Sequence, residues 1–219
     1  MNRVTVSEPW LDMDLGGEMN VLSWAVNKPG FVKAHRILWR EVKNGDLPPF
    51  MDVHDWLDRQ LAARQARDAV TFLTSRRITA FEETEATVGQ TTAHAVATVG
   101  LSNAEHVGQR VDYSKRDWGT INVALRLNQG LSQTGLIEAM SIVVMARTAA
   151  VMDMRYDLPT GIATGTGTDC VAVAAPEGTT DFAGMHTEIG ETIGRAVYDA
   201  VQAGARKWGI EQWGTSKSA

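Results

Sequence analysis

The chain has 219 residues, of which 44% are hydrophobic and 21% charged, and its formal net charge is −5. This composition predicts a globular protein with one sizeable core or two small ones and excludes a disordered chain. Lysine and arginine are scattered, so there is no basic stripe for nucleic acid, and the single cysteine, Cys170, excludes an intrachain disulfide framework.

The N-terminus and the apolar runs predict a protein outside the membrane. The first residues, Met-Asn-Arg-Val-Thr-Val-Ser-Glu-Pro, contain no apolar stretch like that of a signal peptide. No run approaches the roughly 18 apolar residues that a membrane span needs. We therefore expect a cytoplasmic protein that binds neither nucleic acid nor membrane.

The first half of the chain reads as β-rich, with one helix. Turn residues and apolar runs set the boundaries. In chain order we predict an irregular lead-in over 1–20, a hairpin of strands over 21–27 and 31–42, a loop over 44–49, a helix over 53–67 capped by Asp52, and short β-prone runs at 69–73, 78–82 and 93–100.

The second half alternates strands and helices. Residues 119–128 alternate as a strand does, and Ser132 can cap a largely buried helix that reaches Met152. An apolar strand over 170–175 and a final helix over 187–205 follow. The whole pattern predicts one layered α/β domain, with α+β as the alternative, in which helices flank a mixed sheet. The predicted domain covers 21–205, followed by a tail over 206–219.

A small, hydroxyl-rich turn is the strongest sign of a functional site. The segment Ala163-Thr-Gly-Thr-Gly-Thr-Asp169 lies between the predicted helix and strand. Small residues let backbone N–H groups approach a ligand, while threonines and an aspartate supply hydroxyls and a carboxylate. The turn lacks the lysine of a P-loop and does not open a helix. It predicts a catalytic site or a polar ligand site, with a glycine-rich connector as the alternative.

The start of the last predicted helix carries His186, Glu188 and Glu191. A histidine beside two carboxylates suits proton transfer, but carboxylates at a helix N-terminus also stabilise the helix dipole. The spacing differs from His-Glu-x-x-His and does not indicate a zinc site. Both a functional and a purely structural role stay open for this cluster.

Seven tryptophans are a high number for this length. Trp10, Trp24, Trp39 and Trp56 fall in the first half, where hairpin strands could present them to a large flat ligand. Core packing or an oligomer interface is the alternative interpretation.

Six segments, in order along the chain, together match one known family. They are Leu22-Ser-Trp-Ala-Val-Asn27, Gly100-Leu-Ser-Asn-Ala104, Gly119-Thr-Ile-Asn122, Thr148-Ala-Ala, the turn 163–169, and His186-Thr-Glu-Ile-Gly-Glu-Thr-Ile-Gly-Arg-Ala-Val197. Over 22–204 the chain thus resembles the CbiZ-type adenosylcobinamide amidohydrolases. It departs from the family pattern in having Asn27-Lys-Pro-Gly30 for Asn-Gly-Gly and Arg147 for a lysine.

The resemblance implies an enzyme of corrinoid salvage. Such enzymes hydrolyse the amide that joins aminopropanol to adenosylcobinamide, leaving adenosylcobyric acid, and some act on complete cobamides such as pseudocobalamin. The partner is then the corrinoid substrate, whose cobalt is cargo, and we expect no cofactor and no protein-bound metal. A homo-oligomer is left open. The alternatives are a corrinoid-binding protein without turnover and a metal-dependent hydrolase of another amide.

Amide hydrolysis needs a nucleophile or an activated water, an oxyanion stabiliser, and an acid for the leaving amine. We expect Asp169 or His186 to transfer protons and Glu188 or Glu191 to orient His186. The expected substrate-binding residues are Asn27, Asn103, Asn122, Thr164, Thr166 and Thr168.

A second resemblance bears on the nucleophile. Gly119-Thr-Ile-Asn-Val, a helix, and then Gly-Thr-Gly-Thr-Asp is similar to the order in DmpA-type aminopeptidases and ornithine acetyltransferases. That resemblance implies self-cleavage before Thr120, which would become an N-terminal nucleophile, with Asn103 as an oxyanion donor. The alternative is that Thr120 is a strand residue or hydrogen-bonds to the substrate.

Overall fold

The computed structural model describes residues 3–43, 45–47, 50–110 and 118–215, with side chains as far as 212. In the described residues the elements are, in chain order, β1 (Val4–Ser7), β2 (Trp10–Ser23), β3 (Gly30–Glu41), α1 (Val53–Ala63), β4 (Val70–Thr74), a 3₁₀ turn (Ile78–Ala80), β5 (Glu82–Val88), β6 (Thr91–Val99), β7 (Ala104–Glu105), β8 (Ile121–Leu127), α2 (Gln133–Met152), β9 (Asp157–Leu158), β10 (Gly161–Ile162), β11 (Gly165–Thr166), β12 (Cys170–Ala175) and α3 (Glu188–Thr215).

One mixed sheet carries the fold. Its strand order is β4-β3-β2-β12-β8-β6-β5, and β1 pairs with β2. The pairs β3–β4 and β8–β12 are parallel, and the other neighbours are antiparallel. The predicted class, a layered α/β domain with a mixed sheet flanked by helices, is confirmed.

The expected irregular lead-in is wrong, because residues 4–7 form β1 and residues 10–20 lie in β2. Residues 1 and 2 of that segment lie outside the described part of the chain. The glycine pair that suggested an irregular segment is a bulge inside a strand, where the β2–β3 register shifts between Asp14 and Met19. Gly16 has a φ of 77°, which glycine tolerates best, and its N–H donates to Asp14 Oδ1 at 2.8 Å.

The sheet folds back on itself, so the protein has four layers. On one face of β6, β8 and β12, apolar side chains pack against α2 and α3. On the opposite face, Val96, Ala124 and Ala172 pack into a second core with side chains of β1 to β4. Helix α1 covers the outside of that second half through Leu57 and Leu61.

Strand β8 shows how this layering sorts side chains. Ile121, Val123, Leu125 and Leu127 lie in the core beneath α2 and α3, as their alternation predicted. Asn122 points the other way, toward β4, where its Nδ2 donates to the Leu73 carbonyl at 2.8 Å. The start of β8 therefore meets the end of β4, a strand that is far from it in the order of the sheet.

The helix starts agree with their predicted caps. Asp52 accepts hydrogen bonds from the backbone of His54 and Asp55, and Ser132 accepts one from Gly135. The other end of α3 was predicted less well. The helix continues to Thr215, so most of the expected tail over 206–219 is helical. Residues 216–219, and residues 44, 48 and 49 of the expected loop, lie outside the described part of the chain.

Helix α2 is long and apolar enough by composition to cross a membrane, the one such helix among those described. Nine of its residues are nevertheless buried within the protein. The core helix of a globular protein can be equally long and apolar, so packing within the protein explains the composition of α2.

Candidate active site

The threonine turn lies where three chain segments meet. β11 pairs with β7, and β12 begins one residue after Asp169. Because β12 runs parallel to β8, with Cys170 opposite Asn122, the turn lies beside Gly119 and Thr120 at the start of β8. The two segments that attracted attention in the sequence are thus neighbours in space.

Asp169 is held by four hydrogen-bond donors. Its carboxylate accepts from the guanidinium of Arg147, from the backbone N–H of Ile121 and of Thr166 at 3.0 Å each, and from the Thr166 hydroxyl. The side chains of Asp169 and Arg147 are 7% and 12% exposed. Burial lowers the pKa of the Arg147 guanidinium below its ordinary value. The carboxylate is therefore fully engaged in clamping the turn to β8 and α2.

The Thr120 hydroxyl lies buried within the same hydrogen-bond network. It donates to the Thr168 carbonyl at 2.8 Å and lies 3.3 Å from Asn122 Oδ1. A hydroxyl has one proton, so the shorter contact takes it. Thr120 is 6% exposed, and its oxygen retains lone pairs that can accept a proton or attack a carbonyl.

Both polar atoms of Gly119 are held by side chains. Its N–H donates to Asn103 Oδ1 at 3.1 Å, and its carbonyl accepts from the Thr168 hydroxyl at 2.9 Å. Asn103 Nδ2 in turn approaches the Thr168 hydroxyl at 3.4 Å. A Cβ on Gly119 would lie 2.7 Å from the Ser102 nitrogen, so only glycine fits this position.

Thr164 supports the turn from the other side. Its backbone N–H and its hydroxyl donate to the Glu105 carbonyl at 2.8 and 3.2 Å, and its hydroxyl accepts from the Val107 N–H at 2.9 Å. A cavity of about 340 Å³ opens here and is lined by Glu105, Thr164, Thr166 and Arg147 among others. Thr164 and Thr166 thus combine structural hydrogen bonds with a position at a cavity wall.

Asn27 does not reach this site. Its Nδ2 donates to the carbonyls of Ala69 and Arg67 at 2.7 and 3.3 Å, and its backbone bridges to Thr71. The amide that we expected to bind substrate instead fastens the segment after β2 to the start of β4.

The histidine and the two glutamates at the start of α3 are at the other end of the sheet. A Cβ on Gly89, in the β5–β6 turn, would lie 2.4 Å from Glu188 Oε2. That turn faces the end of β8, whose two ends are six residues or about 20 Å apart. His186 is exposed, and Glu191 is paired with Arg195. The sheet therefore separates His186 and the two glutamates from Asp169, so they do not lie in one site with it.

Cys170, next to Asp169, is no nucleophile at neutral pH. Burial raises the pKa of its thiol to about 11, so the reactive thiolate is scarce. Among the residues that the structure describes, no group of three or more histidine, cysteine or acidic side chains could hold a metal ion.

Two features of the site were not predicted from sequence. The first is the ion pair between Arg147 and Asp169. In the sequence Arg147 was noted only because it replaces a lysine of the family pattern. A basic residue kept at that position was the one signal that it could pair with a carboxylate. Ser75, after β4, donates to the Trp118 carbonyl at 2.7 Å. No local pattern links residues 75 and 118, because the folding of the sheet brings them together.

The fold and this site define a layered α/β protein with a hydroxyl-rich candidate active site at the start of β8. The model of one family, adenosylcobinamide amidohydrolase (CbiZ), matches residues 1–212. The chain therefore belongs to the adenosylcobinamide amidohydrolase family, which confirms the resemblance drawn from the sequence.

Individual relatives are more distant. An uncharacterized protein of Methanocaldococcus jannaschii, MJ1613, is 34% identical over 91 residues, which are 40% of this chain and 36% of that protein. The match thus spans little more than a third of that relative's length.

Two solved structures are similar in fold. The PH0078 protein from Pyrococcus horikoshii OT3 has a TM-score of 0.52 at 10% identity, over 92% of this chain and 78% of that one. A β-aminopeptidase from a Burkholderia species has a TM-score of 0.43 at 10% identity over the same shares. The first likeness concerns the fold alone.

Proposed function

We propose that this protein hydrolyses the amide joining aminopropanol to adenosylcobinamide, as a step of corrinoid salvage. Water is added across the C–N bond, so that the carbonyl carbon gains a hydroxyl to give adenosylcobyric acid and the nitrogen leaves as free aminopropanol. The family match over 1–212 supports this substrate. The proposal extends to complete cobamides such as pseudocobalamin, whose hydrolysis would allow remodelling of the lower ligand.

The observation that carries the proposal is the position of the Thr120 hydroxyl. It lies between the Thr168 carbonyl and Asn122 Oδ1 in a buried hydrogen-bond network. The nearby cavity is lined by Thr166 and Arg147, which hold the adjoining Asp169. In our proposal the Thr120 oxygen attacks the substrate carbonyl, the C–N bond breaks to release the amine, and water then hydrolyses the ester. The hydroxyl of Thr168 and the amide of Asn103 are the proposed oxyanion donors.

Thr120 needs a base, and the described part of the site leaves Asp169 an unsuitable one because four donors already occupy it. Hydrolysis of the Gly119–Thr120 peptide bond, in which water leaves a carboxylate on Gly119 and a free α-amino group on Thr120, would supply one, since an α-amino group has a pKa of about 7.7–8.0 and can accept the hydroxyl proton. The hydrogen bond from Thr168 to the Gly119 carbonyl would polarise that bond. The alternative is an uncleaved chain in which Thr120 binds substrate and a base acts from elsewhere.

Mass spectrometry of corrinoids and of the protein in one sample tests both levels. We expect adenosylcobinamide to become adenosylcobyric acid, with fragments of 119 and 100 residues if the chain cleaves after Gly119. Full-length protein that turns over substrate rejects self-cleavage and leaves the amidohydrolase proposal intact. Unchanged adenosylcobinamide and pseudocobalamin would instead favour a corrinoid-binding protein.

Substitution of Thr120 separates its two proposed roles. Thr120→Ala should lower kcat by about a hundredfold or more if the hydroxyl is the nucleophile, whereas Thr120→Ser keeps a hydroxyl and should retain measurable turnover. Raised KM with unchanged kcat in the alanine variant would mean that the hydroxyl only binds substrate. Loss of activity with a chelator, restored by zinc, would favour the metal-dependent alternative.

A further inference from the structure

The six tryptophans whose side chains the structure describes fall into two groups. Four are buried, with exposed fractions of 7% or less: Trp10, Trp39, Trp56 and Trp208. Trp24 and Trp118 are 43% and 68% exposed. Burial explains the first group as core packing, and leaves two large aromatic surfaces in contact with water.

Both exposed tryptophans adjoin the hydrogen-bond network of Thr120. The indole N–H of Trp24 donates to the Asp169 carbonyl at 2.7 Å, one residue after the carbonyl that Thr120 contacts. Trp118 immediately precedes Gly119, and its own carbonyl accepts from the Ser75 hydroxyl. The two side chains therefore start from positions that border the same hydroxyl.

Trp24 is exposed and yet held in one orientation. Its hydrogen bond fixes the edge of the indole, so the free face is presented without the entropy cost of ordering a mobile side chain. A planar ligand that covers this face would remove apolar surface from water and stack on a π-system.

The proposed substrate has matching chemistry. Its scissile amide ends a short arm on the rim of the corrin, so a bound substrate must bring the conjugated macrocycle close to the hydroxyl that attacks the amide. The adenosyl group offers a second planar ring. Two exposed indoles on residues that adjoin the hydrogen-bond network of that hydroxyl are the kind of surface that either ring would cover.

We propose that Trp24 and Trp118 form an aromatic platform that binds a planar conjugated ring of the corrinoid beside Thr120. This inference rests on the proposed function for the identity of the substrate. It assigns the two residues to substrate binding and not to the chemical step. Their loss should weaken binding and raise KM while leaving kcat nearly unchanged.

Equilibrium dialysis, followed by the visible absorption of the corrin, tests the platform; every chain carries Thr120→Ala as a common background, including the one compared as unaltered, so that the ligand is not hydrolysed during the measurement. We expect Trp118→Ala and Trp24→Ala each to weaken adenosylcobinamide binding by about tenfold, within the range that alanine substitution of stacking residues gives, and Trp118→Phe to retain most of the affinity. Dicyanocobinamide, which lacks the adenosyl group, is the second probe. Weakened binding of both probes assigns the platform to the corrin, and weakened binding of adenosylcobinamide alone assigns it to the adenine.

Phe182→Ala is the matched control, because Phe182 is 76% exposed and follows Asp181, which is bonded to Ser132 at the N-terminus of α2, away from the site. Its affinity should equal that of the unaltered chain. Thermal unfolding checks each variant, and Trp118→Ala, at a mostly exposed position, decides if Trp24→Ala fails to fold.

The outcomes separate the platform from the amidohydrolase activity. Platform variants that bind weakly support the inference even if no product forms, in which case only the catalytic proposal fails. Both alanine variants binding corrinoids as tightly as the unaltered chain would overturn the platform while leaving hydrolysis untouched. An unaltered chain that binds neither probe overturns it as well.

Discussion

Asp169 illustrates at the residue scale how hydrogen bonding limits chemistry. A carboxylate that accepts from a guanidinium, two backbone N–H groups and a hydroxyl is stabilised as the anion and has little capacity left to take a substrate proton. We infer that Asp169 positions Thr168 and Thr120 by holding the turn 163–169 against the start of β8. Its negative charge also compensates the positive charge of Arg147.

Asp169→Asn should therefore lower the free energy of unfolding by about 3 kcal/mol, because it leaves a buried guanidinium without its partner. The asparagine would also direct N–H donors toward the donors of Arg147 and Thr166. Urea denaturation measures the change, and Arg147→Met and the double variant complete a cycle. The double variant should lose less stability than the sum of the single variants, and equal stability of Asp169→Asn and the unaltered chain would contradict this account of the pair.

The backbone before Thr120 is also fixed by hydrogen bonds. Asn103 and Thr168 hold both polar atoms of Gly119, and no room exists for a side chain there. A backbone this constrained holds the hydroxyl of the next residue in place, as its proposed role as nucleophile would require.

At the scale of elements, the N-terminus of α3 has a structural explanation. Thr187 accepts a hydrogen bond from the Gly190 N–H at 3.0 Å and so caps the helix, and Glu188 and Glu191 lie in its first turn, where the helix dipole favours carboxylates. Of the two roles that the sequence left open for His186, Glu188 and Glu191, the geometry favours the purely structural one.

His186→Ala should consequently leave kcat and KM within about twofold of the unaltered chain, since a surface substitution far from the site has little effect. Steady-state kinetics with adenosylcobinamide measures both constants. A hundredfold loss of kcat, the scale of general acid–base catalysis, would return His186 to the catalytic machinery.

Two glycines in α3 form a matched pair. Gly190 and Gly194 lie about one turn apart on α3. A Cβ on Gly190 would lie 2.1 Å from the Gly184 carbonyl oxygen, in the preceding loop, whereas a Cβ on Gly194 would have nothing within 4 Å. One glycine allows a loop to cross the helix, and the other faces open space.

Gly190→Ala should lower the free energy of unfolding by about 2 kcal/mol or more through overpacking against backbone. Gly194→Ala should leave it unchanged or raise it by up to about 1 kcal/mol, because alanine is the better helix former. Urea denaturation of the two variants measures the difference. Equal effects would mean that the loop can move away from Gly190 at little cost.

At the scale of the whole molecule, the layers are joined by long-range polar contacts. Arg76, which follows β4 and is 9% exposed, makes a two-pronged ion pair with Glu211 near the end of α3. This pair joins the part of the sheet formed by β1 to β4 to the layer formed by α2 and α3. The hydrogen bond from Arg76 lowers the pKa of the Glu211 carboxyl.

This pair gives a prediction about pH. Because the folded pKa of Glu211 lies below its unfolded value, the stabilisation is present above the ordinary pKa and is lost as the pH falls through the folded pKa. Glu211→Gln should therefore cost about 1 kcal/mol at neutral pH and little in acid, where both proteins carry an uncharged residue. Thermal unfolding of both proteins, measured from neutral to acidic pH, tests the prediction.

The control for that experiment is Asp58→Asn, which breaks the exposed pair between Asp58 and Arg67. Exposed ion pairs contribute little, so this variant should unfold like the unaltered chain at neutral pH. A difference between Glu211→Gln and the unaltered chain that persists undiminished in acid would show that the contact acts through packing instead of charge.

Local patterns by themselves determined much of the secondary structure. Alternation placed β8 and the side of it that faces the helices, and capping residues placed the starts of α1 and α2. The ordered segments also identified the family, which the match over 1–212 confirms. These features depend on neighbours in sequence, and a single chain reports them directly.

Only the tertiary structure decided which polar residues meet. It placed Thr120, Asn122, Asn103, Thr168 and Asp169 together, because β8 and β12 are parallel neighbours and the segment before β8 returns to the end of β6. It took His186 and Asn27 away from them, because strand direction and crossover connections set which ends of the elements share an edge. Spacing along a chain contains no such information, so the choice among candidate residues, and between exposed and buried tryptophans, followed from the packing of layers.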